Sequence, residues 1–305
     1  MCGRFTSTAE RAAIAERFAA RLPEALTERY NVSPAQGVLT NRRGEGDERL
    51  ADIMRWGLVP HWGRDASIGY KMINARAETV AEKRTYGKLL TSRRCLIPAD
   101  GNYEWRRGSG GGQMPVRFTL AAGDLFAFAG LWTSWVDKET GELLDSCTIV
   151  TTTPNELVAG VHNRMPVILP AASEDGWLDP ELALADVLAL LVPYPADLMR
   201  AHAVSRLVNA GRNEGPEILV SDPDDEEARA LVTSLGGAAG GSHAVAPTTA
   251  APATTSTEAN ASRTETASSS RRKITARTTV QITNVPTSGM TTVTSPRSIA
   301  SMRAR

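Results

Sequence analysis

The sequence has few cysteines, few aromatic residues and no long apolar run. Its three cysteines, Cys2, Cys95 and Cys147, are too scattered for a disulfide framework, and with no CxxC or His/Cys cluster they make no zinc site. No stretch approaches the roughly 18 apolar residues of a membrane span, and Arg4, Glu10 and Arg11 stand where a signal peptide has its apolar core. The expectation is a cytoplasmic protein, associated with the nucleoid if bacterial, without membrane contact. Phosphate-binding glycine loops and metal-ligand spacings are also missing, so no cofactor and no metal is expected.

Aromatics make up 5% of the 305 residues, and none occurs from Pro223 to Arg305, where Ala, Thr, Ser and Gly dominate. Such a segment buries too little apolar surface to offset its ordering entropy. Residues 223–305 are therefore read as a disordered tail and 2–222 as one folded domain. The formal charge is balanced, 34 basic against 34 acidic residues, but unevenly distributed. From Gly236 onward there are eight Lys/Arg against two Glu, a net of +6, which leaves about −6 on the remainder. Any nucleic-acid surface on the domain is then a local groove rather than a basic face.

Thr8 to Ala20 reads as an amphipathic helix, with Thr6 to Thr8 available as caps. Segments 55–59, 94–98, 101–105, 116–120, 125–132 and 146–152 read as short strands separated by Gly or charged turns. Trp177 and the Leu/Ala run 182–191 suggest a second helix stopped by Pro193 and Pro195. The expected class is α+β, with a mainly antiparallel, barrel-like sheet and peripheral helices.

Met1-Cys2-Gly3-Arg4 carries the most specific chemistry. Removal of Met1 leaves Cys2 with thiol and α-amine on adjacent carbons. The α-amine titrates near 7.7–8.0 and the thiol near 8.5, so both are within reach of nucleophilic forms at neutral pH. Towards an aldehyde this pair can form an imine and close a thiazolidine; towards an amide it can transfer an acyl group. Three further segments matter. In an extended Asn74-Ala75-Arg76-Ala77-Glu78-Thr79, an amide, a guanidinium and a carboxylate share one face. Gly101-Asn102-Tyr103-Glu104-Trp105 sets Glu104 between aromatics, where burial raises a carboxyl pKa and suits it to proton transfer. His162-Asn163-Arg164-Met165-Pro166 places an imidazole and a guanidinium before an apolar run.

Together with Tyr30 to Pro34, Arg55 to Trp62, Ala127 to Trp132, Val204-Ser205 and Gly215 to Leu219, these segments resemble, in order, the SRAP family of SOS-response-associated peptidases and abasic-site processing proteins. The resemblance covers essentially residues 2–222. It implies a sensor of abasic sites in single-stranded DNA, in which Cys2 forms a thiazolidine crosslink to the ring-opened sugar and shields the lesion. It implies that Asn74 orients Cys2 and the sugar, that Glu104 moves protons, and that His162 stabilises the sugar hydroxyl or shuttles protons near it. Gly3, Arg4, Arg76 and Arg164 are expected at the flanking DNA, with guanidinium forks suited to phosphates. Pro34, Trp62 and Tyr86 are expected to offer flat surfaces to bases. The resemblance further implies a peptidase activity that fits removal of residues before Cys2; no oligomer is required, so a monomer is expected, with the replication machinery as a further partner.

Two other readings compete. An N-terminal-nucleophile amidohydrolase of the class II glutamine amidotransferase kind also begins Met-Cys-Gly, but its glutamine-clamping motifs are not found here. A non-enzymatic single-strand binding module leaves Cys2 incidental.

Overall fold

The computed structural model describes residues 2–236 and has the α+β class expected. In chain order the elements are β1 Arg4–Ser7, α1 Arg11–Phe18, β2 Arg29–Val32, β3 Gly37–Arg43, β4 Arg49–Trp56, β5 Asn74–Arg76, α2 Arg84–Ser92, β6 Arg94–Ala99 and β7 Gly101–Arg107. They continue with β8 Gln113–Leu120, β9 Phe126–Val136, β10 Leu143–Thr152, α3 Glu156–Ala159, β11 Met165–Pro166, β12 Ile168–Leu169, α4 Glu174–Leu178, α5 Leu184–Ala189, β13 Met199–Ala203 and α6 Glu226–Ser234. One sheet is five-stranded and antiparallel, in the order β13-β8-β7-β1-β2. The other follows β11-β10-β4-β3-β6-β9-β12, with β5 added in parallel to β10. Among the described residues no helix is long and apolar enough to cross a membrane.

Strand alternation explains how the sheets enclose a core. In β1, Phe5 points inward and stacks edge-on against Trp56 and Phe128, at centroid separations of 5.2 and 5.6 Å. Val116 and Phe118 of β8 join this cluster from the five-stranded sheet, and Ile97, Cys147 and Ile149 join it from the larger one. The opposite face of the larger sheet buries Leu96, Ala129, Leu131 and Val150 under the helices, with Phe18 of α1, Leu90 of α2, Trp177 of α4 and Val187 of α5. The result is a barrel-like pair of sheets with helices on its outside.

Several local expectations shift. The helix expected from Thr8 starts at Arg11 and takes no side-chain cap. Thr8 instead turns its N–H and hydroxyl to Asp100 Oδ2, at 2.5 and 2.7 Å, tying the end of β1 to the turn before β7. The helix expected over 182–191 shortens to α5, while Trp177 sits on the separate α4.

The tail boundary is corrected. Residues from Pro223 do not all lie outside the fold, because α6 packs Ala228, Leu231 and Val232 into the inner cluster. Asp225 caps it by accepting from the Ala228 N–H at 3.1 Å. The absence of aromatics suggested disorder, but aliphatic residues three and four apart suffice when a sheet already offers an apolar face. The expectation for 237–305 lies outside the described residues.

Candidate active site at the amino terminus

Strand pairing gathers the chemically distinctive residues from distant parts of the chain. Arg4 pairs with Tyr103 across β1 and β7, which brings the residues just before Arg4 alongside Glu104. On β7, Tyr103 faces a small outer cluster with Val204, Val208 and Ile218, so Glu104 faces the opposite way, inward. Gly101 permits the start of this strand, because a Cβ there would lie 2.5 Å from Arg117 Nε, part of the Arg117–Asp100 pair.

Asn74 arrives by a different route. β5 runs parallel to β10, pairing Asn74 with Ile149 and Arg76 with Thr151. Ala75 turns into the helix-side core, so Asn74 and Arg76 share the other face. The strand ends at Arg76, and Glu78 lies in the turn that follows rather than on a continued strand face. The Asn74 Nδ2 donates to the Cys2 carbonyl at 2.8 Å. Its Oδ1 is buried and has no hydrogen-bond partner among the described residues.

His162 comes from the excursion between β10 and β11. Asn155 caps the short helix α3 by accepting from the Val158 N–H at 2.9 Å, and the Val158 carbonyl accepts the His162 N–H at 2.8 Å. The imidazole Nδ1 lies 3.9 Å from Glu104 Oε2, and 3.1 and 3.2 Å from the Arg164 amide nitrogen and carbonyl oxygen.

The electrostatics follow from burial. Glu104 is 2% exposed, and desolvation pushes its carboxyl up to about 7, against the opposing pull of the positive amino terminus. It can therefore both hold and release a proton near neutral pH. Cys2 is fully buried, and desolvation, reinforced by the Glu104 charge, pushes its thiol well above the usual range. The thiol needs a base, contrary to the modest help that its free-solution value suggests. Desolvation lowers the His162 pKa, favouring the neutral ring.

The expected DNA-contact residues divide. Arg76 is exposed, and its guanidinium makes no hydrogen bond with any described residue. Arg4 is half-buried and donates to Asn31 Oδ1 at 2.7 Å and the Val208 carbonyl at 2.9 Å, so it ties β1 to the 208–213 loop. Arg164 forms a two-pronged pair with Glu78. Pro34 sits in the turn after β2. Trp62 is 54% exposed and lines a cavity of about 530 Å³ with His61, Arg84 and Lys88. Tyr86 is partly buried against the helix-side core, which pushes its hydroxyl up to about 12 and leaves it a poorer stacking platform than Trp62. Sequence reasoning gave no role to Glu78 or Thr151. Glu78 carried a signal, being the acidic member of the Asn74–Thr79 segment, whereas Thr151 becomes notable only through its pairing with Arg76. Among the described residues no cluster of His, Cys, Asp and Glu is suited to hold a metal ion.

Residues 1–211 match the profile of the SOS response associated peptidase (SRAP) family. The chain belongs to the SRAP family. Abasic site processing protein YoqW of Bacillus subtilis (strain 168) is 48% identical over 227 residues, covering 72% of this chain and all of that protein. Abasic site processing protein HMCES of Gallus gallus is 34% identical over 221 residues, covering 63% of this chain and 65% of its own length. A crystal structure of a protein from Bacteroides thetaiotaomicron superposes with a TM-score of 0.65 at 27% identity, covering 72% of this chain and all of that one.

Proposed function

We propose that this protein captures abasic sites in single-stranded DNA through a covalent bond to Cys2. The observation that carries the reading is the convergence of Cys2, Asn74, Glu104 and His162, with the Cys2 carbonyl held by Asn74 and a carboxylate titrating near 7 beside the thiol. The names of the SRAP relatives, abasic site processing proteins, point the same way.

The chemistry begins when Met1 is removed and the Cys2 α-amine is free. The abasic sugar opens to an aldehyde, and the amine adds to its carbon. Loss of water from the resulting carbinolamine, with the departing hydroxyl protonated by Glu104 and the nitrogen's proton returned to the same carboxylate, leaves an imine. The Cys2 sulfur then bonds to the imine carbon while the thiol proton passes, through the Glu104 carboxylate, to the nitrogen. A five-membered thiazolidine results, with no change of oxidation state. A group near pKa 7 suits both directions of transfer, because neither its acid nor its base form is scarce. Asn74 fixes the Cys2 main chain and offers Oδ1 to the sugar or the amine. His162, half-buried and shifted by desolvation towards its neutral form, accepts or returns a proton at the sugar hydroxyl.

An abasic nucleotide has no base to unstack, so splaying it into this recess costs little. Arg76 faces the flanking phosphates, and Trp62 and Pro34 offer surfaces for neighbouring bases. Arg4 and Gly3 shape the backbone beside the lesion. Peptidase activity of the same nucleophile would account for exposure of Cys2.

The test is denaturing electrophoresis of the Met-processed protein after incubation with single-stranded DNA carrying one abasic site, beside undamaged DNA and the Cys2→Ala and Glu104→Gln variants. A denaturant-resistant band that requires both lesion and Cys2 is expected. No band from protein with a verified Cys2 amino terminus overturns the proposal, and amide hydrolysis then becomes the reading to test.

A further inference from the structure

Glu78 and Arg164 form a two-pronged charged pair two residues from His162. Arg164 Nη1 donates to Glu78 Oε1 at 2.6 Å and Nη2 to Oε2 at 3.0 Å, the parallel fork that matches a carboxylate. The same Nη2 donates to the Thr151 carbonyl at 2.6 Å. That carbonyl also accepts the Ala77 N–H at 2.8 Å. The guanidinium therefore clasps the turn after β5 to the end of β10. Its side chain is only 13% exposed, against 44% for Glu78, so the cation is enclosed and the carboxylate approaches it from the solvent side.

The main chain of this arginine carries the catalytic consequence. Both polar groups of the Arg164 residue bracket His162 Nδ1, the amide nitrogen at 3.1 Å and the carbonyl oxygen at 3.2 Å. The amide can donate to an unprotonated Nδ1 and the carbonyl can accept from a protonated one, so the ring can change protonation without losing its anchor. The anchor holds only while the Arg164 backbone stays fixed. On its C-terminal side that backbone is held to β10 by the pairing of Met165 with Thr152, and its side chain adds the tie to the end of β10 and to the turn that follows β5, the strand that carries Asn74 and Arg76.

We propose that Glu78 is a positioning residue for the capture reaction, which holds the Arg164 fork so that the Arg164 peptide fixes the His162 imidazole over the Glu104 carboxylate. This deepens the reading above, since it rests on His162 taking part in capture. A second consequence follows from charge. With Glu78 present, Arg164 is neutralised and contributes little to phosphate attraction; without it, an uncompensated cation sits at the rim of the DNA groove.

The experiment compares wild type with Glu78→Gln and Glu78→Asp in the full chain, with three readouts. Single-turnover capture at saturating abasic single-stranded DNA is expected to slow about tenfold in Glu78→Gln, as misplacement of a proton-transfer group does, with Glu78→Asp recovering most of the rate. Affinity for an undamaged oligonucleotide is expected to stay the same or tighten, because a cation has been released. The ring nitrogen NMR signals of His162 without DNA are expected to move or broaden in Glu78→Gln and to return in Glu78→Asp. Wild-type capture and unchanged His162 signals in Glu78→Gln overturn the proposal. So does a slowing accompanied by an equal loss of affinity for undamaged DNA, because Glu78 would then be aiming Arg164 at a phosphate. If wild type itself makes no crosslink, the capture reading fails, while the His162 signals still decide whether Glu78 positions the ring.

Discussion

Asn74 reaches back to the amino terminus, its Nδ2 donating to the Cys2 carbonyl at 2.8 Å across 72 positions of sequence. In the proposed capture reaction this bond orients the residue whose amine and thiol must reach one carbon atom. Replacing Asn74 by Ala should slow capture about tenfold or more at saturating DNA, since misplacing a nucleophile by an ångström costs that and beyond. Binding of undamaged DNA should not change. Single-turnover kinetics beside a binding titration separate the two, and a wild-type capture rate in Asn74→Ala would remove Asn74 from the mechanism.

Glu104 imposes a cost on the fold that depends on pH. Its carboxyl has an ordinary value of 4.5 and a folded value of about 7, so between these limits the folded state keeps a proton that the unfolded chain releases. Its contribution is therefore fully present below pH 4.5 and is lost as pH rises towards 7, by on the order of 3 kcal/mol at about 1.4 kcal/mol per pH unit. Glu104→Gln should match wild-type stability at acidic pH and exceed it at pH 8, while losing most capture activity. Denaturant unfolding at several pH values checks this; a stability difference independent of pH would show that the carboxyl is not buried as described.

Arg76 presents an exposed guanidinium on β5, two residues from Asn74. Arg76→Gln should weaken binding of single-stranded DNA of any sequence and make the slope of log affinity against log salt shallower by about 0.7, the value for one phosphate contact. Titrations at several salt concentrations measure that slope. An unchanged slope would place the phosphates elsewhere.

The last described helix belongs to the folded unit. Leu231 is 6% exposed within the inner cluster, so Leu231→Ala should destabilise by about 2–4 kcal/mol. A chain ending at residue 236 should unfold like the full chain, whereas one ending at 222 should be markedly less stable. Equal midpoints for all three would mean that α6 does not contribute to the core.

Much of the architecture was legible because hydrophobic alternation is local. β6, β7, β9 and β10 stand within a few residues of the expected segments. Strands such as β1, β2, β5 and β13 were not foreseen, since each is three to five residues long and too short to show a period. Helix α6 was missed for a related reason: its value lies in the sheet face it covers, and composition does not reveal that face.

The chemistry divides in the same way. The sequence by itself determined which candidate reactive groups this protein owns, a cysteine at position 2 that removal of Met1 would turn into a 1,2-aminothiol, with an amide, a carboxyl and an imidazole in motifs specific enough to indicate a family, because covalent reactivity is a property of residue type. Only the tertiary structure decided what those groups are like. Burial moves Glu104 to about 7 and makes the Cys2 thiol a weaker acid than in free solution. Ion pairing assigns Arg164 to Glu78 and leaves Arg76 exposed. Protonation and availability depend on solvent exclusion and on neighbours far apart in the chain, and those are set by how the strands pair.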